Sequence, residues 1–151
     1  MIHHPDSTTP AIIQQFMFLY QQLNRDTLSL ARLSECYHQQ VHFLDPFHER
    51  KGLLALHNYF FELYQNVQAI EFDFHDVYGN DQGATVTWQM RYQHPKIQRG
   101  DWVVVDGVSV LQYQDGLIIR HQDYFDGGQM LYQHLPVLGW FIQKLKQRMV
   151  A

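Results

Sequence analysis

The stretch LIIRHQDYF, residues 117–125, holds the side chains best suited to acid–base chemistry. Read as a strand and divided by alternate residues, one face carries Ile119, His121, Asp123 and Phe125, and the other Arg120, Gln122, Tyr124 and Asp126. Only the first face has apolar ends, so it is expected to face inward. It sets a His and an Asp about 7 Å apart along the strand, close enough to hydrogen-bond or to hold one ligand between them. Buried polar groups cost several kcal/mol unless paired. The pair therefore reads either as a satisfied structural contact between sheet and helix or as an acid–base pair in a pocket. A second carboxylate, Asp45 in VHFLDPFHERKG, follows Val41, Phe43 and Leu44 and precedes Pro46 and Phe47. An Asp before Pro is a common turn starter, so Asp45 taken alone is as readily a loop residue as a functional one.

Other chemistries find less support. His38 and His42 stand at i,i+4 with His48 beyond, but a strand from Val41 onward separates them, and neither an HExxH nor a paired-cysteine pattern occurs. No metal and no cofactor are expected. Gly127-Gly128 lacks the Lys and Ser/Thr partners of a phosphate loop. Cys36 is the only cysteine; it reads as a buried, inert thiol in a reducing compartment. The formal charge of −4 offers no basic stripe to nucleic acid. No stretch has the length and apolarity of a spanning segment or a leader, so a cytoplasmic protein without membrane partners is expected.

These groups must be positioned by a single domain, since 151 residues bury a core without disulfides or metals. Thr9-Pro10 reads as the start of a helix with Ile12, Phe16, Leu19 and Leu23 in one stripe, ending near Asn24. Asp26 can cap a second helix with Leu30, Leu33 and Tyr37 on one face. A strand over Val41–Leu44, a loop over Asp45–Lys51 and a third helix from Gly52 to about Asn66 follow. IEFDFHDVY and ATVTWQMRY alternate every second residue around GNDQG, a hairpin; DWVVVDGVSVLQY and LIIRHQDYF flank Asp115-Gly116, a second. The order predicts an α+β domain with a curved antiparallel sheet and helices on one side. Residues 1–9 read as a flexible start, 10–136 as the domain, and 137–151 as a basic amphipathic helix. That helix could lie on a membrane surface, but docking on its own domain or a twin subunit is the preferred expectation.

CYHQQVHFLDPF leading to Gly52 and a helix, with DGLIIRHQDYFD at the end, resembles the nuclear transport factor 2-like superfamily, within it the SnoaL-like polyketide cyclase and ketosteroid isomerase-related branch. The resemblance covers roughly residues 10–126. It implies a cone-shaped sheet wrapped around the N-terminal helices, with a mostly apolar pocket at the open end. It also implies that Asp45 matches the general base of the isomerases, where poor solvation among Phe43, Leu44 and Phe47 would strengthen it as a proton acceptor. In the cyclases the acid–base Asp lies on the late strand, here His121 and Asp123. Tyr37, Tyr59, Phe60, Trp88 and Phe125 correspond to pocket-wall positions. By the same alignment the isomerases' oxyanion-binding Tyr falls at Phe18, with Tyr20 on a different face, and their second, acidic donor falls at Ser109. Losing both donors removes about 3 kcal/mol of enolate stabilisation apiece.

The resemblance thus implies a cofactor-independent isomerase, cyclase or lyase acting on a small apolar or aromatic ligand through Asp45, His121 and Asp123. The alternative is a non-catalytic binding or scaffold domain, a homodimer through the outer sheet face with a vestigial pocket.

Overall fold

The computed structural model describes residues 9–150. Helix α1 (Ala11–Gln22) buries Ile13, Phe16, Met17 and Tyr20, residues three and four apart, so one stripe enters the core. Helix α2 (Leu30–Ser34) is capped by Ser29, whose hydroxyl accepts from the Arg32 amide at 3.1 Å, not by the expected Asp26. Strand β1 (Tyr37–Leu44) and the short β2 (Glu49–Lys51) precede helix α3 (Leu53–Asn66), which buries Leu53, Leu56, Phe60 and Tyr64. Strands β3 (Ala69–Gly79), β4 (Gly83–Gln93), β5 (Val103–Gln114) and β6 (Leu117–Phe125) complete one sheet in the order β2-β1-β6-β5-β4-β3. Helices α4 (Gly127–Met130) and α5 (Pro136–Met149) follow.

The α+β class and the curved sheet around helices stand as expected, with three local differences. Tyr37 opens β1 and does not close α2, because the Cys36 carbonyl accepts from the Ile118 amide at 2.9 Å and draws the chain onto β6. Part of the expected 45–51 loop is β2, which pairs antiparallel with β1 around a turn closed by the Asp45 amide on the His48 carbonyl at 2.9 Å. The sheet is mixed, not purely antiparallel, since β1 and β6 run parallel.

One irregularity decides which side chains of β6 face inward. Gln112 lies opposite Arg120 but Tyr113 lies opposite Ile118, leaving Ile119 as an extra residue in a bulge. Ile118, not Ile119, is therefore the fully buried residue. Ile119 instead lines an outer groove with Val110 and Gln112. Downstream of the bulge the alternation resumes and His121 is buried.

The core gathers the inner faces of α1, α3 and the sheet around α2 and Cys36. The Cys36 thiol is buried and its pKa is pushed up to about 12 by that burial, so it behaves as a small apolar group. On β4, Ala84, Val86, Trp88, Met90 and Tyr92 alternate into this core. Trp88 lies opposite Gly107 on β5, and its ring occupies the space a side chain at 107 would need. The missing Cβ lets the indole lie flat across the sheet and reach Ser109 beyond it.

Gly107→Ala should accordingly destabilise the fold by about 1–3 kcal/mol, since a buried indole ring has nowhere to move. Urea unfolding of the two proteins checks this; an unchanged midpoint would show that the Trp88 ring is free to shift.

Candidate functional site

The inner face of the sheet carries a continuous chain of polar side chains drawn from five elements. The Trp88 indole N–H donates to Ser109 Oγ at 2.9 Å, and Ser109 donates to Asp123 Oδ1 at 2.5 Å. His121 Nε2 lies 2.7 Å from that same oxygen, and its Nδ1 is 2.7 Å from the Tyr37 hydroxyl. Tyr37 in turn meets the Tyr20 hydroxyl at 2.6 Å. His121 is 1% exposed, stacked on Tyr37 with edge contacts to Phe16 and Phe43.

Chemistry gives this chain a direction. An ionised Asp123 can only accept, so His121 Nε2 must carry the proton offered to it. In a neutral ring Nδ1 then accepts from Tyr37, and Tyr37 accepts from Tyr20. Both phenols are held well above the ordinary tyrosine range. For Tyr20 burial is the main cause, with the Asp123 charge next; for Tyr37 it is burial, then Tyr20. Each phenol therefore remains a donor.

Asp45 sits in a different environment. Its Oδ1 accepts from the amides of Phe47 at 2.8 Å and His48 at 2.7 Å, and its Oδ2 accepts from the Tyr59 hydroxyl at 2.6 Å. The side chain is only 6% exposed, so protein donors, not water, solvate it. Asp45 is thus shielded from water, as expected, and the turn after it also delivers two backbone amides to the carboxylate.

The parallel register pairs Phe43 with His121 and Leu44 with Gln122, the last pair before the chain turns at Asp45. Both acids act on Tyr59, whose hydroxyl is raised above its ordinary range first by burial, then by the Asp45 charge and hydrogen bond, then by Asp123. Two residues beyond each acid, Phe47 and Phe125 meet at 5.9 Å, and Phe47 also packs on Tyr132. Asp123 differs from Asp45 in two respects: every side-chain hydrogen bond it makes among the described residues falls on Oδ1, and its side chain is 17% exposed.

The remaining sequence candidates are placed as follows. Phe60 is buried between Tyr20, Phe43 and Tyr59. Trp88 and Phe125 lie 6.3 Å apart, Trp88 buried and Phe125 half-buried. Ser109 is buried and spent on holding Asp123. Phe18, which the resemblance sets at the oxyanion-binding position, is 64% exposed and turned from the interior, while Tyr20 is 8% exposed and joins the chain. Tyr20 stands four residues after Phe16, the spacing that could have identified it.

His42 pairs with Glu49 at 2.6 Å and meets Arg120 at 3.1 Å, and that hydrogen bond, with Lys51 nearby, lowers the Glu49 carboxyl. Among the described residues no three His, Cys, Asp or Glu gather to hold a metal. Three grooves formed by described residues lie at the β3–β4 turn, at the start of α1 and between the end of α1 and β3; Asp45, His121 and Asp123 line none of them.

A family model, the SnoaL-like domain, matches residues 19–121, well over half of the chain, ending at His121. Among solved structures, a hypothetical protein with a ketosteroid isomerase-like fold from Catenulispora acidiphila, in complex with trimethylamine, superposes with a TM-score of 0.72. It is 14% identical, covering 88% of this chain and 98% of its own. A candidate SnoaL-like polyketide cyclase from Shewanella denitrificans gives 0.66 at 15% identity, over 81% and 95%. A candidate isomerase of the SnoaL-like family from Agrobacterium tumefaciens gives 0.60 at 17%, over 77% and 95%. These likenesses show the fold, a nuclear transport factor 2-like α+β cone. A search of curated proteins finds no match.

Tyr37→Phe should cost about 1–3 kcal/mol, because it strands His121 Nδ1 and the Tyr20 hydroxyl inside the core. Denaturant unfolding measures it, and a neutral substitution would mean that the chain of hydroxyls contributes nothing to the fold.

Proposed function

The chain belongs to the SnoaL-like domain family, and on that premise we propose that it takes a compact, mostly apolar small molecule against Asp123 and moves a proton between two atoms of it. Asp123 accepts the proton from a carbon or hydroxyl of the ligand through its second oxygen. His121 and Ser109, both bonded to the first oxygen, orient the carboxylate and stabilise its charged form. Asp123 then returns the proton to another ligand atom, which gives isomerase, cyclase or lyase chemistry with no cofactor called upon. Tyr59, whose one hydroxyl proton is given to Asp45, keeps oxygen lone pairs with which to accept from a ligand hydroxyl. Phe43, Phe60, Trp88 and Phe125 supply the apolar wall. Entry requires the contact of Phe47 with Phe125 and Tyr132 to part.

The observation that carries this reading is the asymmetry of the two acids. Asp45 has both oxygens engaged by three protein donors and acts as a fixed negative charge and as the anchor of Tyr59. Asp123 keeps one oxygen for a ligand. The trimethylamine held by the Catenulispora relative supports a small-molecule guest for the fold.

A second reading is a binding or scaffold domain, paired with another copy through the outer sheet face and without turnover. The engaged state of Asp45 and the exposed Val104, Val110 and Tyr124 of that face favour it.

Mass spectrometry of small molecules that co-purify with the protein identifies the guest, and transfer of the complex into D2O then reports proton abstraction directly. Wild type should place deuterium on the guest, and Asp123→Asn should slow this at least about 100-fold with little change in melting temperature. A guest that binds and never exchanges would support the scaffold reading and overturn the catalytic one.

A further inference from the structure

The C-terminal helix α5 carries a feature that the interior site does not use. Leu138, Phe141, Ile142, Leu145 and Met149 recur three and four residues apart on one side of it. The helix meets its own domain by a different side. Gly139 is buried with its Cα against the Gln133 backbone, and Lys146 lies 3.8 Å from Asp126 Oδ2. Gly139 and Lys146 are seven residues apart, two turns along one line of the helix. Leu138, Phe141, Leu145 and Met149 are exposed, so the apolar arc is turned outward and the expected docking on the domain does not bury it.

The charges beside that arc are of one sign. Residues 127–151 hold three of the chain's eleven Lys and Arg and none of its fifteen Asp and Glu. By helical spacing Lys144 and Arg148 flank one edge of the arc, while Lys146, on the domain side, is paired with Asp126. Exposed Trp140 stands at the Lys144 edge, with the ammonium 4.3 Å from its ring.

We propose that α5 is a peripheral docking element for an anionic lipid bilayer, lying in the plane of the surface with its apolar arc among the acyl chains. Long cationic side chains along the margin of an apolar arc can reach up to headgroup phosphates while their stems remain in contact with hydrocarbon. An indole at the margin suits the same boundary. At 14 residues α5 is about 21 Å long, too short to span a bilayer core and long enough to lie along one. The acidic remainder of the chain is repelled by the same surface, which leaves α5 to direct the contact. The proposal stands apart from the acid–base reading of the interior.

Co-sedimentation of the full chain with vesicles of equimolar phosphatidylcholine and phosphatidylglycerol, followed by Trp fluorescence, tests it. Binding should be at least about tenfold tighter than to pure phosphatidylcholine and should weaken with added salt. Phe141→Glu with Leu145→Glu, both at exposed positions, should reduce it at least about tenfold without changing the melting temperature. Wild type that stays in the supernatant, or that binds both vesicle types equally, overturns the proposal. So does a double variant that binds vesicles like wild type but converts a dimer to a monomer in light scattering, which would assign the arc to a second copy.

Discussion

A histidine ring sealed from water must find a partner for each nitrogen within the protein, and much of the interior is arranged around meeting that demand for His121. Asp123 answers one nitrogen and Tyr37 the other. Each answer imposes a requirement on the fold. Tyr37 reaches His121 only because β1 joins β6 in parallel, and Asp123 is steadied by Ser109, itself reached by a Trp88 ring that needs Gly107 to be bare. The chain of contacts thus ties α1, β1, β4, β5 and β6 into one unit.

Two carboxylates whose charges both act on Tyr59 acquire different characters from their local backbone. The turn after Asp45 directs two amides back onto it, so its charge is met locally and completely. Asp123 lies within a strand, where the backbone amides are committed to the sheet ladder and only side chains can reach it. Those side chains approach from one direction and satisfy one oxygen. The difference follows from turn against strand, not from the residue type, and it leaves the second oxygen of the later acid without a partner among the described residues.

Periodicity made the framework readable before any coordinates. The alternation in ATVTWQMRY, the Asp115-Gly116 turn, whose two residues adopt φ of 54° and 75°, and the stripes of α1 and α3 all correspond to observed elements. Tyr37 and the bulge at Ile119 were not readable, because both depend on strands distant in sequence pairing in a given register. The same limit applied to the site. Parity singled out His121 and Asp123, but their partners Tyr37 and Tyr20 arrive from 84 and 101 positions away, and the family resemblance points to Phe18, two residues before the inner tyrosine. Two positions along a helix is more than half a turn, so that small offset separates an interior hydroxyl from a solvent-facing ring.

The direction of proton donation through this chain is the central physical claim, because it follows from a buried ring that must satisfy a carboxylate on one side and a phenol on the other. Nitrogen-15 NMR of the His121 ring at neutral pH measures it most directly. The account predicts a proton on Nε2 coupled to Asp123 and a bare Nδ1 accepting from Tyr37. A proton found on Nδ1 would reverse the chain and contradict it.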